Sequence, residues 1–282
     1  MPEKMFKGTG VALVTPFKED KSIDYDSLEK LVNHVIDNGI NYLVALGTTG
    51  ETPSLSPEEK LQIVEFIKAI NNKRVPLVVG MGGNNTTMLA NSILDADTSG
   101  IDAILSVAPY YNKPTQAGLY EHFKAVAEAS KVPVIMYNVP GRTGSNISAS
   151  SCTALAKDFP GKIIAVKEAS GNFSQIMDIL KDKPSGFMVI SGDDSITLPM
   201  VALGGLGVIS VIGNAYPKEF SEMVSLALDH QFYQAQELHY KLLPIMHTLF
   251  EEGNPAGVKA FLSHKGIIKN NLRLPLLKAV KH

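Results

Sequence analysis

Short apolar runs alternate with amphipathic stretches eight times along this chain, and that alternation restricts the fold more than any other feature. The runs fall at residues 10–16, 42–46, 75–80, 101–108, 132–136, 162–166, 187–191 and 206–211. They are rich in Val, Ile, Leu and Ala and show little polar alternation. That is the composition of parallel strands buried on both faces. Between them lie helical stretches. Asp24 caps one that carries Leu28, Leu31, Val32, Val35 and Ile36 on a single face, and Gly39 ends it in a left-handed cap. Ser56-Pro57-Glu58-Glu59 is a capping box with proline at the first helical position, opening a helix to about residue 72. Further helices are predicted over residues 86–99 (ended by Gly100), 115–130, 148–158, 172–181, 195–203 and onward from Pro217.

Strand and helix alternating in this way predict an α/β chain folded as a (β/α)8 TIM barrel. A doubly wound open sheet is the alternative. No Gly-rich phosphate loop follows the first strand, which disfavours it. The barrel is expected over residues 1–228. Residues 229–282 carry no strand signal and are expected to add a C-terminal helical extension of two or three helices.

With 282 residues, 45% of them hydrophobic, the chain can bury one large core. A formal net charge of -2 offers no electrostatic attraction to nucleic acid or to an anionic membrane. The apolar runs are too short to span a bilayer, and residues 1–7 lack an apolar leader core, so a cytoplasmic protein is expected. The single Cys152 cannot form an intrachain disulfide and reads as a packing residue near a helix start. The seven histidines are scattered, five of them at or beyond residue 230, and no metal site is expected.

In a (β/α)8 barrel, reactive groups gather just past the C-terminal ends of the strands. The sixth apolar run leads straight into Lys167-Glu168-Ala169-Ser170-Gly171. Desolvation at such a point disfavours an ammonium and favours the neutral amine that attacks carbonyls. Glu168 opposes this if it is close, but neighbours on a strand point to opposite faces. A lysine that snorkels to solvent is the other use of such a position. The second run is followed by Gly47-Thr48-Thr49-Gly50-Glu51, whose hydroxyls and close backbone N–H groups suit a carboxylate or oxyanion. Pro109-Tyr110-Tyr111-Asn112-Lys113-Pro114 follows the fourth run. Tyr137-Asn138-Val139-Pro140-Gly141-Arg142-Thr143-Gly144 follows the fifth, where Tyr137 can shuttle a proton and Arg142 can fork a carboxylate. Gly213-Asn214, after the eighth, is a tight turn expected to let a ligand approach the backbone.

These motifs resemble those of the dihydrodipicolinate synthase family, within the class I pyruvate-dependent aldolases and lyases. The resemblance covers residues 8–213 and a similar C-terminal helical extension. Gly47-Thr48-Thr49-Gly50-Glu51, Tyr137-Asn138-Val139-Pro140 and Val166-Lys167-Glu168 are shared across the superfamily. The double-tyrosine loop and Arg142 are the narrower signals, absent from sialic-acid lyases. The resemblance implies that Lys167 forms an imine with pyruvate and that Tyr137 relays protons, coupled through Thr48 to Tyr111. It implies that Thr49, with backbone N–H groups, holds the pyruvate carboxylate and that Gly192 and Ile209 are substrate-binding residues. The resulting enamine would attack L-aspartate 4-semialdehyde, whose carboxylate would meet Arg142. No cofactor beyond the covalent imine through Lys167 is implied. The implied assembly is a homotetramer, a dimer of dimers in which Tyr111 reaches into the neighbouring site. The implied setting is the start of lysine and diaminopimelate biosynthesis. A sugar-acid aldolase and a catalytically dead barrel are the rival readings. Arg142 with the tyrosine pair opposes the first, and intact Lys167, Tyr137 and Thr48 oppose the second. Lysine-inhibited relatives bind lysine with two histidines, an asparagine, a glutamate and the first tyrosine of the pair. Here Asn84 and Tyr110 match, but Pro57, Lys60 and Met88 replace the histidines and the glutamate. Weak or absent feedback by lysine is therefore implied.

Overall fold

Eight parallel strands close on themselves in sequence order: β1 Gly8–Ala12, β2 Tyr42–Ala45, β3 Leu77–Gly80, β4 Ala103–Val107, β5 Val134–Asn138, β6 Ile163–Glu168, β7 Met188–Ser191 and β8 Gly207–Ser210. The structure, a computed structural model, describes residues 2–279. Met1 and the last three residues of the expected extension lie outside the described residues. The helices are α1 Pro2–Phe6, α2 Tyr25–Asp37, α3 Pro57–Asn71, α4 Thr86–Asp95, α5 Gln116–Ala129, α6 Pro140–Thr143, α7 Ala149–Asp158, α8 Phe173–Asp182, α9 Thr197–Ala202, α10 Pro217–Leu228, α11 Phe232–Glu251 and α12 Ala256–His264. The expected TIM barrel is the observed fold.

Local chemistry sets most boundaries. Ser56 and Glu59 exchange both capping-box hydrogen bonds at the start of α3. Asp24, Asn85, Thr115, Ser148 and Asn172 each cap the helix that follows by accepting a backbone N–H. The helix predicted over residues 86–99 stops early, at Asp95. Ala96 is extended, and the Asp97 carboxylate takes the Ser99 N–H at 2.9 Å, so a side-chain turn replaces the last helical turn. The span 195–203 divides into a 3-10 turn, Asp194–Ile196, and the short α9. The strands lie further along the chain than the apolar runs suggest at two places. Tyr137 and Asn138 belong to β5, and Lys167 and Glu168 belong to β6.

The barrel interior is filled by alternate residues of the strands, among them Ala12, Val44, Val78, Leu105, Ile135 and Met188. Tyr42 fills the lower end. Its ring occupies the space a side chain at Gly10 would need, where a Cβ would fall 2.2 Å from the ring. Phe6 of α1 packs edge-on against Tyr42 at 5.5 Å and closes the base. The barrel seam is equally tight. A Cβ on Gly207, at φ +143, would lie 2.0 Å from the Gly8 carbonyl oxygen.

One irregularity decides which side chains face the interior. Along β5 and β6 the register advances from Val134↔Ile163 directly to Ile135↔Ala165, so Ile164 is an extra residue on β6. Ile163 and Val166 pack outward against the helices, whereas Ile164 and Ala165 both face inward. Strict alternation from Ile163 would turn Lys167 out and Glu168 in. The bulge reverses that phase.

The C-terminal segment is fastened to the barrel mouth. Lys259 of α12, fully buried, pairs with Glu51, which is 1% exposed at its side chain. Burial pulls the Lys259 amine down to about 8, against the opposing pull of the Glu51 carboxylate. Further along, Arg273 forks onto Glu59 of α3 through bonds of 2.7 and 2.6 Å. Those bonds hold the Glu59 carboxyl at about 2, below the 4.5 of a free glutamate. The folded chain therefore binds this proton less tightly than the unfolded chain. The contribution to stability is complete above pH 4.5 and is lost as pH falls through about 2. Glu59→Gln should lower the thermal midpoint at neutral pH, and its gap from the parent should close as pH falls through that window. A gap independent of pH in scanning calorimetry would refute this.

Candidate active site

The inward phase of β6 places Lys167 opposite Tyr137 and Glu168 opposite Asn138. Lys167 Nζ stands 4.2 Å from the centroid of the Tyr137 ring. Both residues are buried, at 5% and 6% exposure. Glu168, the neighbour best placed to neutralise the amine, is engaged elsewhere. Its carboxylate accepts from Asn138 Nδ2 at 2.9 Å, the Ser170 N–H at 2.7 Å and Gln175 Nε2 at 3.3 Å. No described carboxylate forms an ion pair with Lys167. An amine that is desolvated and free of a carboxylate is suited to attack a carbonyl.

Gly192, at the end of β7, makes room for this lysine. A Cβ there would lie 2.6 Å from Ala169 Cβ and 3.1 Å from Lys167 Cε. The Gly192 N–H is bound to the Glu168 carbonyl at 2.8 Å, so the backbone cannot withdraw. Ile209 of β8 is buried in the same interior cluster as Tyr137.

After β2 the chain makes a 3-10 turn over Thr48–Gly50. The first N–H groups of such a turn have no partner inside it, so Thr48 and Thr49 present donors. The turn is clamped on several sides. Thr15 donates to the Gly50 carbonyl at 2.7 Å, and Thr52 donates to the Gly47 carbonyl at 2.9 Å. Glu51, left-handed at φ 53, holds Lys259 with one oxygen and the Arg273 N–H with the other, the latter at 3.0 Å. Thr49 is buried, and its hydroxyl accepts from Asn254 Nδ2 at 3.0 Å.

A cleft of about 340 Å³ opens beside these groups, with Thr48, Gly82, Tyr110, Tyr137 and Arg142 in its wall. That volume accommodates a small-molecule substrate. Arg142 rides on α6, which opens with Pro140 and closes on Gly144 at φ +70. Its guanidinium is exposed and makes no hydrogen bond or ion pair within the described residues.

Thr48, Tyr110, Tyr137 and Arg142 thus line one cleft and Lys167 adjoins Tyr137, whereas two other strand-end groups stand apart. Tyr111 does not enter the cleft of its own chain. It is 88% exposed and left-handed at φ +78, with its N–H on the Thr143 carbonyl at 3.3 Å. A bulky residue in that conformation is strained. Gly213-Asn214 is not a ligand approach. Asn214 is fully buried and ties the end of β8 to β1, donating to the Ala12 carbonyl at 2.8 Å and accepting the Val14 N–H at 3.2 Å. A Cβ on Gly213 would meet Val11 Cγ2 at 2.8 Å, so its space is taken by packing.

Asn254 and Lys259 escape sequence reasoning altogether. Gly253-Asn254-Pro255 reads as an ordinary turn, and the Asn254–Thr49 contact joins residues 205 apart in sequence. Cys152 is buried, and burial raises its thiol well above the usual range, which fits a packing residue. Among the described residues no three His, Cys, Asp or Glu side chains gather as a metal site, and no helix is long and apolar enough to cross a membrane.

Comparison with known proteins places the chain among similar ones. The model of the dihydrodipicolinate synthetase family matches residues 5–282. The 4-hydroxy-tetrahydrodipicolinate synthase of Flavobacterium psychrophilum is 54% identical over 272 residues, spanning 96% of this chain and 92% of that protein. The enzyme of the same name from Parabacteroides distasonis is 52% identical over 277 residues, spanning 98% and 93%. The solved chloride-inhibited dihydrodipicolinate synthase of Acinetobacter baumannii, complexed with pyruvate, matches with a TM-score of 0.94 at 41% identity, covering 98% of this chain and 94% of that one.

Proposed function

The chain belongs to the dihydrodipicolinate synthetase family, and from that membership we propose how its own residues run the reaction. The activity is the 4-hydroxy-tetrahydrodipicolinate synthase reaction, a lyase reaction of class I aldolase type in lysine and diaminopimelate biosynthesis. It condenses pyruvate with L-aspartate 4-semialdehyde. In our reading Lys167 attacks the ketone of pyruvate, water leaves, and an imine remains on Nζ. Loss of a methyl proton gives the enamine. The enamine carbon then adds to the aldehyde of the semialdehyde, and the substrate's own amine displaces Lys167. Tyr137 moves the protons, with Thr48 beside it in the cleft wall. Thr49 and the leading N–H groups of its turn hold the pyruvate carboxylate. Arg142 takes the carboxylate of the second substrate. The chemistry runs through the covalent imine on Lys167 with no metal or organic cofactor. The observation that carries this reading is Lys167 Nζ at 4.2 Å from the Tyr137 ring, with Glu168 bonded away from it. A coupled assay tests it: turnover must require both pyruvate and L-aspartate 4-semialdehyde, and turnover of a sugar acid instead would reject it.

We place the enzyme in the cytoplasm as a homotetramer, a dimer of dimers. What supports the pairing is Tyr111, a strained and exposed aromatic beside a cleft it does not enter. Completing the proton relay from a neighbouring subunit accounts for both properties. Mixed Tyr111→Phe and Lys167→Ala subunits, each inactive alone, should regain part of the activity once exchange is verified. Persistent inactivity in exchanged mixtures would reject the shared site.

Lysine is expected to inhibit weakly or not at all. Asn84 and Tyr110 stand together, the Asn84 amide donating to the Tyr110 carbonyl at 3.3 Å, but Met88 presents a thioether where a ligand ammonium needs a carboxylate. An ammonium that sheds water without gaining a counter-charge returns little free energy. Initial rates over a lysine titration at saturating pyruvate check this, and strong submillimolar inhibition would show it to be wrong.

A further inference from the structure

The Thr49 hydroxyl has one proton and two lone pairs. One lone pair is taken by Asn254 Nδ2 at 3.0 Å, in a contact where Thr49 is 2% and Asn254 8% exposed. No described group accepts the Thr49 proton. Asn254 makes this bond at a cost, because its Oδ1 is buried without a partner among the described residues. The segment that carries Asn254 is itself anchored to the same turn. Lys259, just into α12, pairs with Glu51, two residues past Thr49, and donates to the Asn271 carbonyl at 2.9 Å. The Arg273 N–H closes the other Glu51 oxygen. The first turn of α12 and the segment beyond that helix are therefore both bonded to Glu51, just past the turn that Asn254 contacts.

We infer that Asn254 is a positioning residue for carboxylate binding: by occupying a lone pair of Thr49, its amide leaves the hydroxyl proton for the first substrate. The C-terminal extension thereby completes a binding site whose other groups all come from the barrel. This rests on the reading of Thr49 as the ligand of the pyruvate carboxylate. It adds a donor that touches no substrate and acts only through Thr49.

Asn254→Asp keeps the size of the side chain, cannot donate, and draws the Thr49 proton toward itself. Asn254→Ala removes the contact. Both variants should raise the KM for pyruvate about tenfold, the scale of one hydrogen bond lost at a charged group. The pyruvate concentration that half-saturates borohydride trapping should rise by the same factor. The KM for the semialdehyde and kcat should stay within about twofold. In a Thr49→Val background, Asn254→Ala should add nothing further to the pyruvate KM, since the two residues act as one unit. Thermal midpoints of all variants separate a binding defect from loss of fold, and the size-matched Asn254→Asp is the decisive protein if Asn254→Ala unfolds. Pyruvate binding unchanged in Asn254→Asp, or additive losses in the Thr49→Val background, overturns the inference alone, provided the parent enzyme traps pyruvate at Lys167. Failure of the parent to trap pyruvate there overturns both the inference and the reading beneath it.

Discussion

Lys167→Ala is expected to abolish turnover, with a loss on the order of 10⁴-fold or more, the scale reached when a covalent nucleophile is removed. The size follows from the bond itself. Without the amine there is no imine, and without the imine the methyl group of pyruvate is not acidic enough to lose a proton near neutral pH. Borohydride added with pyruvate should leave one reduced adduct on the parent chain, at Lys167, and none on Lys167→Ala. The local structure predicts the selectivity. Among the described residues Lys259 is the other buried lysine, and its Nζ is occupied by Glu51 and the Asn271 carbonyl. Both amines lie 4.2 Å from an aromatic ring, Lys167 over Tyr137 and Lys259 over Phe17, but of the two only Lys167 has no described hydrogen-bond or ion-pair partner. Peptide mapping that finds the adduct elsewhere, or activity retained by Lys167→Ala, would remove the basis of the mechanism.

Arg142→Ala is expected to lower kcat/KM for the semialdehyde while leaving imine formation with pyruvate intact. Removing one partner from a desolvated charge pair costs about 2–5 kcal/mol. Arg142 lies exposed in the cleft wall before substrate arrives, so solvent screening favours the low end, about 2 kcal/mol or roughly 30-fold. Arg142→Lys should recover only part of this, because an ammonium keeps the charge and loses the planar fork. The separation of the two half-reactions is the telling feature. Lys167 is fixed by the bulge on β6 and Arg142 by a one-turn helix on the loop after β5, so truncating Arg142 leaves the imine-forming pair in place. A parallel loss of borohydride trapping in Arg142→Ala would place the arginine at the first substrate instead.

Much of this enzyme was legible in the chain, because the signals are local. Buried parallel strands must be apolar on both faces, so their runs stand out. Capping residues such as Ser56 and Thr115 act on backbone within three positions, so helix starts read correctly. A βα alternation then puts Thr48, Tyr110, Tyr137, Arg142 and Lys167 at one end of the barrel by topology alone. The misreadings share a cause. The helix ending at Asp95 and the turn at Gly213-Asn214 both depend on which partner a polar side chain selects, and composition is silent on that choice.

The barrel, the order of its strands and the end at which polar groups collect all follow from the chain read residue by residue. Each is set by periodicity and by residues adjacent in the chain. Three further features depend on contacts between segments far apart in the chain or on loop conformation. The bulge at Ile164 turned Lys167 rather than Glu168 into the interior, because the face of a strand depends on its register with a neighbour and not on its own residues. The exposure and strain of Tyr111 emerged from a loop conformation that paired tyrosines do not specify. Asn254 reached Thr49, and Lys259 reached Glu51, across more than two hundred residues, because closing the barrel brings its mouth under the C-terminal helices. Contacts of that span leave no trace in local patterning. They exist only once burial of the whole core has brought distant segments together.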